Sequence, residues 1–356
     1  MTDSSNTTST APRKTVFKVG LAVITLALLA LIAEGVSRFA YPLDANQETR
    51  LAAFRDYAVH KRHRIYDPHP YIGYTPRNWH ERFRSQFSLE KKPGVLRIAC
   101  LGGSTTEGNE AWPHLLAKDL ADRANQPVEV MNWGVSGWTT TESMLNFFVN
   151  VQDWEPDLVL IHHAANDVLA RLHPNYRTDY SHFRHPWVEL NLPGWKRWLL
   201  GTSHLYARLQ MEGVQTNIQS RVGYPMRDRS IVMSGELPPE TSAAYQRNLK
   251  TLIEYSASSG AKTALLTMPY SPNPEFRTGV LFAINHKGTL EHNELARELA
   301  AETDCLLIDL AAGFEAIRAR SARFFRDGVH LDPGGHELKA ELVAEALFEA
   351  GLLTKN

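Results

Sequence analysis

The chain has 356 residues, enough for one large domain or two ordinary ones, with 38 Lys+Arg against 39 Asp+Glu and a net charge of −1. That balance excludes the clustered basic excess of a nucleic-acid-binding surface, and 43% hydrophobic with 22% charged residues excludes a wholly disordered chain. Two cysteines can form neither a disulfide framework nor a four-ligand structural zinc site.

Residues 1–14 begin as a Ser/Thr/Asn-rich tail without apolar periodicity, which predicts disorder. Arg13, Lys14 and Lys18 then precede an uncharged run from Val19 to Ala33. Counted from Thr15 with Lys18 snorkelling, a helix to Ala33 would be about 28 Å long, close to the thickness of bilayer hydrocarbon. A buried core helix seldom begins directly after a polar tail, and no small-x-small cleavage site is well defined after Ala33. We therefore read residues 15–37 as a single-pass anchor rather than a core helix or a cleaved signal peptide. The cationic cluster ahead of it predicts the N-terminus inside the cytoplasm and the rest outside.

Residues 38–94 form a polar, irregular lead-in that includes a basic stretch, His60 to Arg64, and the segment Tyr71-Ile-Gly-Tyr-Thr-Pro. From residue 95 short apolar runs alternate with helical spacing. Strands are expected at Val95–Leu101, Val128–Trp133, Leu158–His163, Thr263–Met268 and Leu306–Leu310. Helices are expected at Ala111–Ala124, Thr140–Val151, Thr241–Ser258, Leu290–Glu302 and Gly335–Ala350. The pattern predicts an α/β fold, a parallel sheet covered on both faces. Ligands bind such sheets beyond the carboxyl ends of the strands, so the chemistry is sought there. Cys100 and Cys305 lie in apolar stretches and are read as buried free thiols, with a disulfide between them as the alternative.

The first strand runs into Gly102-Gly103-Ser104, which leaves a serine exposed at a tight turn and suits it to nucleophilic attack. Neither a phosphate loop nor G-x-G-x-x-G fits there. The second strand ends at Gly134, whose N–H can face an oxyanion; Ser136 is a rival nucleophile, but Trp138 breaks the G-x-S-x-G pattern. After the third strand, the Asn166 amide can donate to a developing negative oxygen and Asp167 can hold its loop. His162 and His163 are adjacent on a strand and point to opposite faces, which disfavours zinc; no metal and no cofactor are expected. Near the C-terminus, Asp327 and His330 are spaced so that the carboxylate can orient the imidazole. Asp332 and His336 compete for that part, but His336 is expected to face outward on the last helix.

Singly each of these is a common turn, but the order Ser, Gly, Asn, then Asp-x-x-His resembles the SGNH/GDSL hydrolase superfamily, in its membrane-anchored form. The resemblance covers residues 95–356 and implies a three-layer, doubly wound, flavodoxin-like sheet of about five parallel strands. It implies Ser104 as nucleophile, His330 and Asp327 completing a triad, and an oxyanion hole from Ser104, Gly134 and Asn166. Gly103 stands where the name-giving motif has Asp, a variant common in anchored members, and Ala164 where the third motif usually has Gly. The expected activity is ester hydrolysis outside the cytoplasm on an acyl or acetyl ester of a small molecule or glycan. O-acyl transfer in envelope-polysaccharide modification and a non-catalytic envelope-binding role are the alternatives. Partners are the substrate and the membrane, and no nucleic acid. An insertion at about 171–240 carries Tyr176, Tyr180, Phe183, Trp187, Trp195, Trp198 and Tyr206 and reads as a cap. Its rings either stack on sugar, receive an acyl chain, rest on the membrane or form a small core of their own. Its histidines, His173, His182, His185 and His204, are expected at the surface.

Overall fold

The computed structural model describes residues 11–41, 66–184, 193–210 and 234–355. The basic stretch at 60–64, His185 and Trp187 lie outside the described residues. The described residues divide into two compact units. One comprises α1 (Ala11–Phe39), α6 (Gly194–Thr202) and the helical residues 204–210; the other comprises 66–184 and 234–355.

The larger unit opens with an antiparallel hairpin, β1 (Tyr66–His69) and β2 (Gly73–Pro76), and a short helix, α2 (Trp79–Gln86). Five parallel strands follow: β3 (Leu96–Gly102), β4 (Val128–Gly134), β5 (Leu158–His162), β6 (Lys262–Leu266) and β7 (Leu306–Ile308). Their spatial order is β4-β3-β5-β6-β7. The crossovers carry α3 (Trp112–Arg123), α4 (Thr140–Asn146), α5 (Ala165–Leu172), α7 (Ala243–Ser258) and α8 (Val280–Thr303); α9 (Leu310–Ala316) and α10 (Pro333–Glu349) follow β7.

Both faces of the sheet are buried, which is why its strands read as apolar runs rather than alternating ones. Ala99, Leu101, Met131, Trp133, Val159 and Ile161 face α7, α8 and α2 through Tyr245, Leu249, Leu252, Leu299, Trp79 and Phe83. Ile98, Cys100, Val130, Leu158 and Leu160 face α3 and α10 through Trp112, Leu116, Leu120, Val343 and Leu347. The result is the expected three-layer, doubly wound α/β arrangement.

Three differences from the sequence reading have physical causes. Helix α8 begins ten residues before the expected Leu290, because its first turns carry exposed apolar residues (Val280, Phe282) that blur the periodicity. The expected helix from Thr140 to Val151 is α-helical only to Asn146 and passes into a π-helical turn, Phe147–Val151. The segment after β5, taken from the sequence as a loop, is helical from Ala165.

The expected cap is not uniform. Tyr180 and Phe183 are buried in the larger unit with Val168, Leu169, Leu172 and Ala244. Trp195 and Trp198 belong to the smaller unit and are exposed. Of the expected surface histidines, His173 is buried and His182 half-buried, its Nε2 2.8 Å from the Ala170 carbonyl oxygen. Cys100 is buried and Cys305 half-buried, both as free thiols.

Candidate active site

Strand register brings the loops together. Gly102 pairs with Gly134 on one side and with His162 on the other, so β3, β4 and β5 end at one level. The chain order reverses between β3 and β5, a topological switch point that opens a crevice at the strand ends. Ser104 follows β3 and Asn166 lies in the first turn of α5, immediately beyond β5. The turn after Ser104 is tight, with Thr106 N and Glu107 N both donating to the Gly103 carbonyl oxygen at 3.0 and 3.1 Å.

The residues nominated from sequence at the two ends of the domain meet here. Ser104 Oγ is 2.7 Å from His330 Nε2, and His330 Nδ1 is 2.7 Å from Asp327 Oδ2. With Nδ1–H donating to the carboxylate, Nε2 is left to accept the serine proton. The other oxygen of Asp327 accepts from the backbone N–H groups of Val329 (2.9 Å) and His330 (2.8 Å). Partial burial alone would raise the Asp327 pKa. The His330 ring and those two amides outweigh it and hold the carboxyl down to about 2. The loop carrying the pair is a small hairpin in which Phe325 bridges Leu331 and Arg326 N donates to the His330 carbonyl oxygen at 2.8 Å.

Asn166 Nδ2 donates to the Trp138 carbonyl oxygen at 2.9 Å. A Cβ at position 103 would lie 2.6 Å from that Nδ2, so Gly103 lets the amide approach the nucleophile turn. Gly134 is fixed more strictly: a Cβ there would stand 2.7 Å from Glu107 N and 2.8 Å from Thr106 C. The Gly134 N–H donates to Asn132 Oδ1 at 2.9 Å, so it must exchange that partner to reach an oxyanion.

The competitors have other partners. Ser136 lies near Ser104, but its backbone is tied to Glu107, which accepts from Ser136 N at 3.1 Å. Asp332 caps α10, accepting from Gly335 N at 2.7 Å. His336 does not face outward as expected; it is half-buried, and burial together with nearby Lys339 lowers its pKa to about 4.

Buried polar groups brace these loops from behind. His162 and His163 do point to opposite sides. His163 Nε2 is 2.7 Å from Ser143 Oγ, and burial lowers its pKa to about 4. His162 Nδ1 lies 3.2 Å from Thr105 Oγ1 and 3.2 Å from Lys339 Nζ, which also reaches the Thr105 carbonyl oxygen at 3.5 Å. Burial pushes the pKa of both His162 and Lys339 well down. Asp167 holds the start of α4, accepting from Thr140 N at 3.1 Å and Thr140 Oγ1 at 2.6 Å; burial raises its pKa to about 7. His292 Nδ1 lies 3.1 Å from the Ala164 carbonyl oxygen, and its ring stacks on Tyr245.

Two cavities meet at Ser104 and His330. One, of about 630 Å³, has the more polar wall, with Tyr66, Arg82, Asn109, His114 and Asn132 beside Phe83, Phe87 and Val130. The other, of about 250 Å³, is walled mainly by Leu169, Met268, Leu281, Phe282 and Val329. Sequence reasoning missed Tyr66 and Arg82 in this wall because they come from the lead-in. Tyr66 OH donates to Glu107 at 2.9 Å, and Tyr74 OH donates to the Ser136 carbonyl oxygen at 2.7 Å. The Tyr-rich lead-in was the one available signal.

A family model of GDSL-like lipases and acylhydrolases matches residues 100–338. The chain belongs to that family. It is a serine ester hydrolase with an additional apolar N-terminal helix. No curated protein matches its sequence. Similar solved structures include a lipase/acylhydrolase from Enterococcus faecalis, at 20% identity over 73% of this chain and 98% of that one, TM-score 0.45. A GDSL-like lipase from Bacteroides thetaiotaomicron matches at 16% identity over 77% and 98%, TM-score 0.45. An acetylxylan esterase from Geobacillus stearothermophilus matches at 16% over 71% and 93%, TM-score 0.43.

Proposed function

We propose that the enzyme cleaves an acyl or acetyl ester with Ser104 as nucleophile, His330 as general base and Asp327 as the group that orients His330. The observation that carries this is the unbroken chain Ser104 Oγ–His330 Nε2, His330 Nδ1–Asp327 Oδ2, with both links at 2.7 Å. As Ser104 Oγ bonds to the ester carbonyl carbon, its proton passes to His330 Nε2. The carbonyl oxygen becomes an oxyanion, held by the N–H groups of Ser104 and Gly134 and the Asn166 amide. The tetrahedral intermediate then expels the alkoxyl oxygen, which takes the proton from His330. Water repeats the sequence to release the acid and regenerate Ser104.

The contrast between the two cavities supports a substrate with a polar alcohol and an apolar acyl group. The apolar cavity suits the acyl portion; the larger polar one suits a small polyhydroxyl or glycan alcohol. An acceptor hydroxyl seated in the polar cavity could replace water, which makes O-acyl transfer the second reading. The apolar helix, preceded by basic residues, supports attachment to a membrane with the catalytic unit outside the cytoplasm. The test is acid release from acetylated sugars and longer acyl esters, with and without an acceptor glycan. Ester cleavage lost in Ser104→Ala supports hydrolysis by this site; acyl-glycan formed at the expense of free acid supports transfer. Unchanged cleavage in Ser104→Ala contradicts both.

A further inference from the structure

The smaller unit is joined by a cluster of bonds at one end of α1. The Glu34 carboxylate accepts from His204 N at 2.6 Å, Leu205 N at 3.0 Å and Ser203 Oγ at 2.7 Å. These are donors at the start of the helical residues 204–210, so Glu34 acts as a cap supplied from about 170 positions away in the chain. Arg38 pairs with Glu34 and donates to the Thr202 carbonyl oxygen at 2.9 Å, at the end of α6. Ser37 Oγ lies 3.0 Å from His204 Nδ1, and Arg208 donates to the Tyr41 carbonyl oxygen at 2.7 Å. Cleavage after Tyr41 would strip this cluster away, whereas cleavage before Glu34 would leave its bonds in place.

Position along α1 says where the cluster lies. Within Thr15–Phe39 the most apolar 18-residue window has a mean hydropathy of 2.5, and none of that window is buried by protein. About twenty residues fill the bilayer hydrocarbon, so a span counted from Thr15 ends at Glu34, in the headgroup layer. The bonds to Glu34 and Arg38 therefore hold α6 at the same level. Helix α6 turns Leu200 inward and leaves Trp195 and Trp198 at 59% and 66% exposure, with Thr202 continuing the same stripe. Lys196 and Arg197 flank the rings, and the Lys196 ammonium lies 5.4 Å from the Trp195 ring. Tryptophan beside a cationic residue on an exposed helix face is the chemistry of the lipid–water interface, an apolar body with one polar N–H.

We propose that residues 194–210 form a membrane-surface collar locked to the outer end of α1, with Trp195 and Trp198 seated in the phospholipid interface. The inference rests on the reading of α1 as a retained span.

The full-length protein, reconstituted into phosphatidylcholine vesicles with brominated acyl chains, provides the test. Bromine quenches only tryptophans that reach the lipid, and Trp79, Trp112, Trp133, Trp138 and Trp154 are buried. Fluorescence is expected to fall relative to unbrominated vesicles, and the double variant W195F/W198F is expected to lose most of that fall. The same fall in the double variant, or ready quenching of these two tryptophans by aqueous iodide in the presence of vesicles, overturns the collar. Fluorophosphonate labelling of the double variant confirms that it is folded. Carbonate extraction and N-terminal sequencing distinguish the underlying reading. A membrane-embedded chain that retains residues 15–41 is expected. A soluble chain beginning after Ala33 overturns both the span and the collar, whereas an embedded intact chain without lipid quenching overturns the collar alone.

Discussion

Asn166 has two amide N–H groups, and only one is committed, to the Trp138 carbonyl oxygen. In the proposed mechanism the second is offered to an oxyanion, and losing one such donor typically costs 10²–10³ in turnover. Asn166→Ala is expected to lower kcat by roughly 10²-fold with little change in KM. A KM effect alone would make Asn166 a substrate-binding group instead. Asp327→Asn is expected to cost more, up to about 10⁴-fold, because the amide no longer fixes the acceptor tautomer of His330. Asp327 titrates at about 2, so it stays ionised through the ordinary assay range and gives no acid limb there. Asp167 makes a different, stability-level prediction. Its folded pKa is raised to about 7 from an ordinary carboxylate value, so the folded state holds a proton that the unfolded state has released. That contribution is fully present below about pH 4 and is lost as pH rises to about 7. Asp167→Asn has no such titration. The melting temperature of Asp167→Asn relative to wild type should therefore improve from pH 5 to pH 7.5; a pH-independent difference would show that Asp167 is ionised throughout.

At the scale of elements, the site depends on strand ends and on the caps of the helices that leave them. Thr139 and Glu142 form a capping box at α4, with Glu142 also bound to Arg184, and Asp332 caps α10 behind His330. At the opposite, amino end of the sheet Arg97 is buried and donates to the carbonyl oxygens of Ser88 (2.6 Å), Leu89 (3.2 Å) and Trp154 (2.6 Å), while pairing with Glu129 at 2.6 Å. Arg97→Met would orphan those carbonyls and is expected to cost about 3 kcal/mol or more of unfolding free energy, read by urea denaturation with activity per folded molecule unchanged. The strands β3 to β7 were legible because burial on both faces writes them as apolar runs, of which β3 and β4 are ended by glycine. Helix α5 was not, because it is only eight residues long and buries Asp167 and Arg171 along with its apolar residues, so its polar positions do not mark a solvent face. The same burial explains His173 and His336: a histidine carries no sequence mark that tells a packed ring from a solvated one.

For the molecule as a whole, Ser104 and His330 were identifiable because one follows a strand and the other precedes the last helix, and the parallel order β4-β3-β5 makes the loops of Ser104, Gly134 and Asn166 converge. Tyr66 and Arg82 in the more polar cavity wall were not legible, since they reach the site from a lead-in without strand-helix alternation. The insertion was read as one cap, yet its first part packs in the catalytic unit and its middle belongs with α1. That division follows from side chains 170 positions apart, which no local pattern records. The proposed chemistry requires that Ser104 be activated by His330 and Asp327 for acyl transfer. Its most direct measurement is covalent labelling by a fluorophosphonate, with the site of attachment mapped by mass spectrometry in wild type, Ser104→Ala and His330→Ala. Attachment to Ser104 in wild type, none in Ser104→Ala and a strongly slowed reaction in His330→Ala are expected. Labelling of Ser136, or undiminished labelling of Ser104→Ala, would contradict the account.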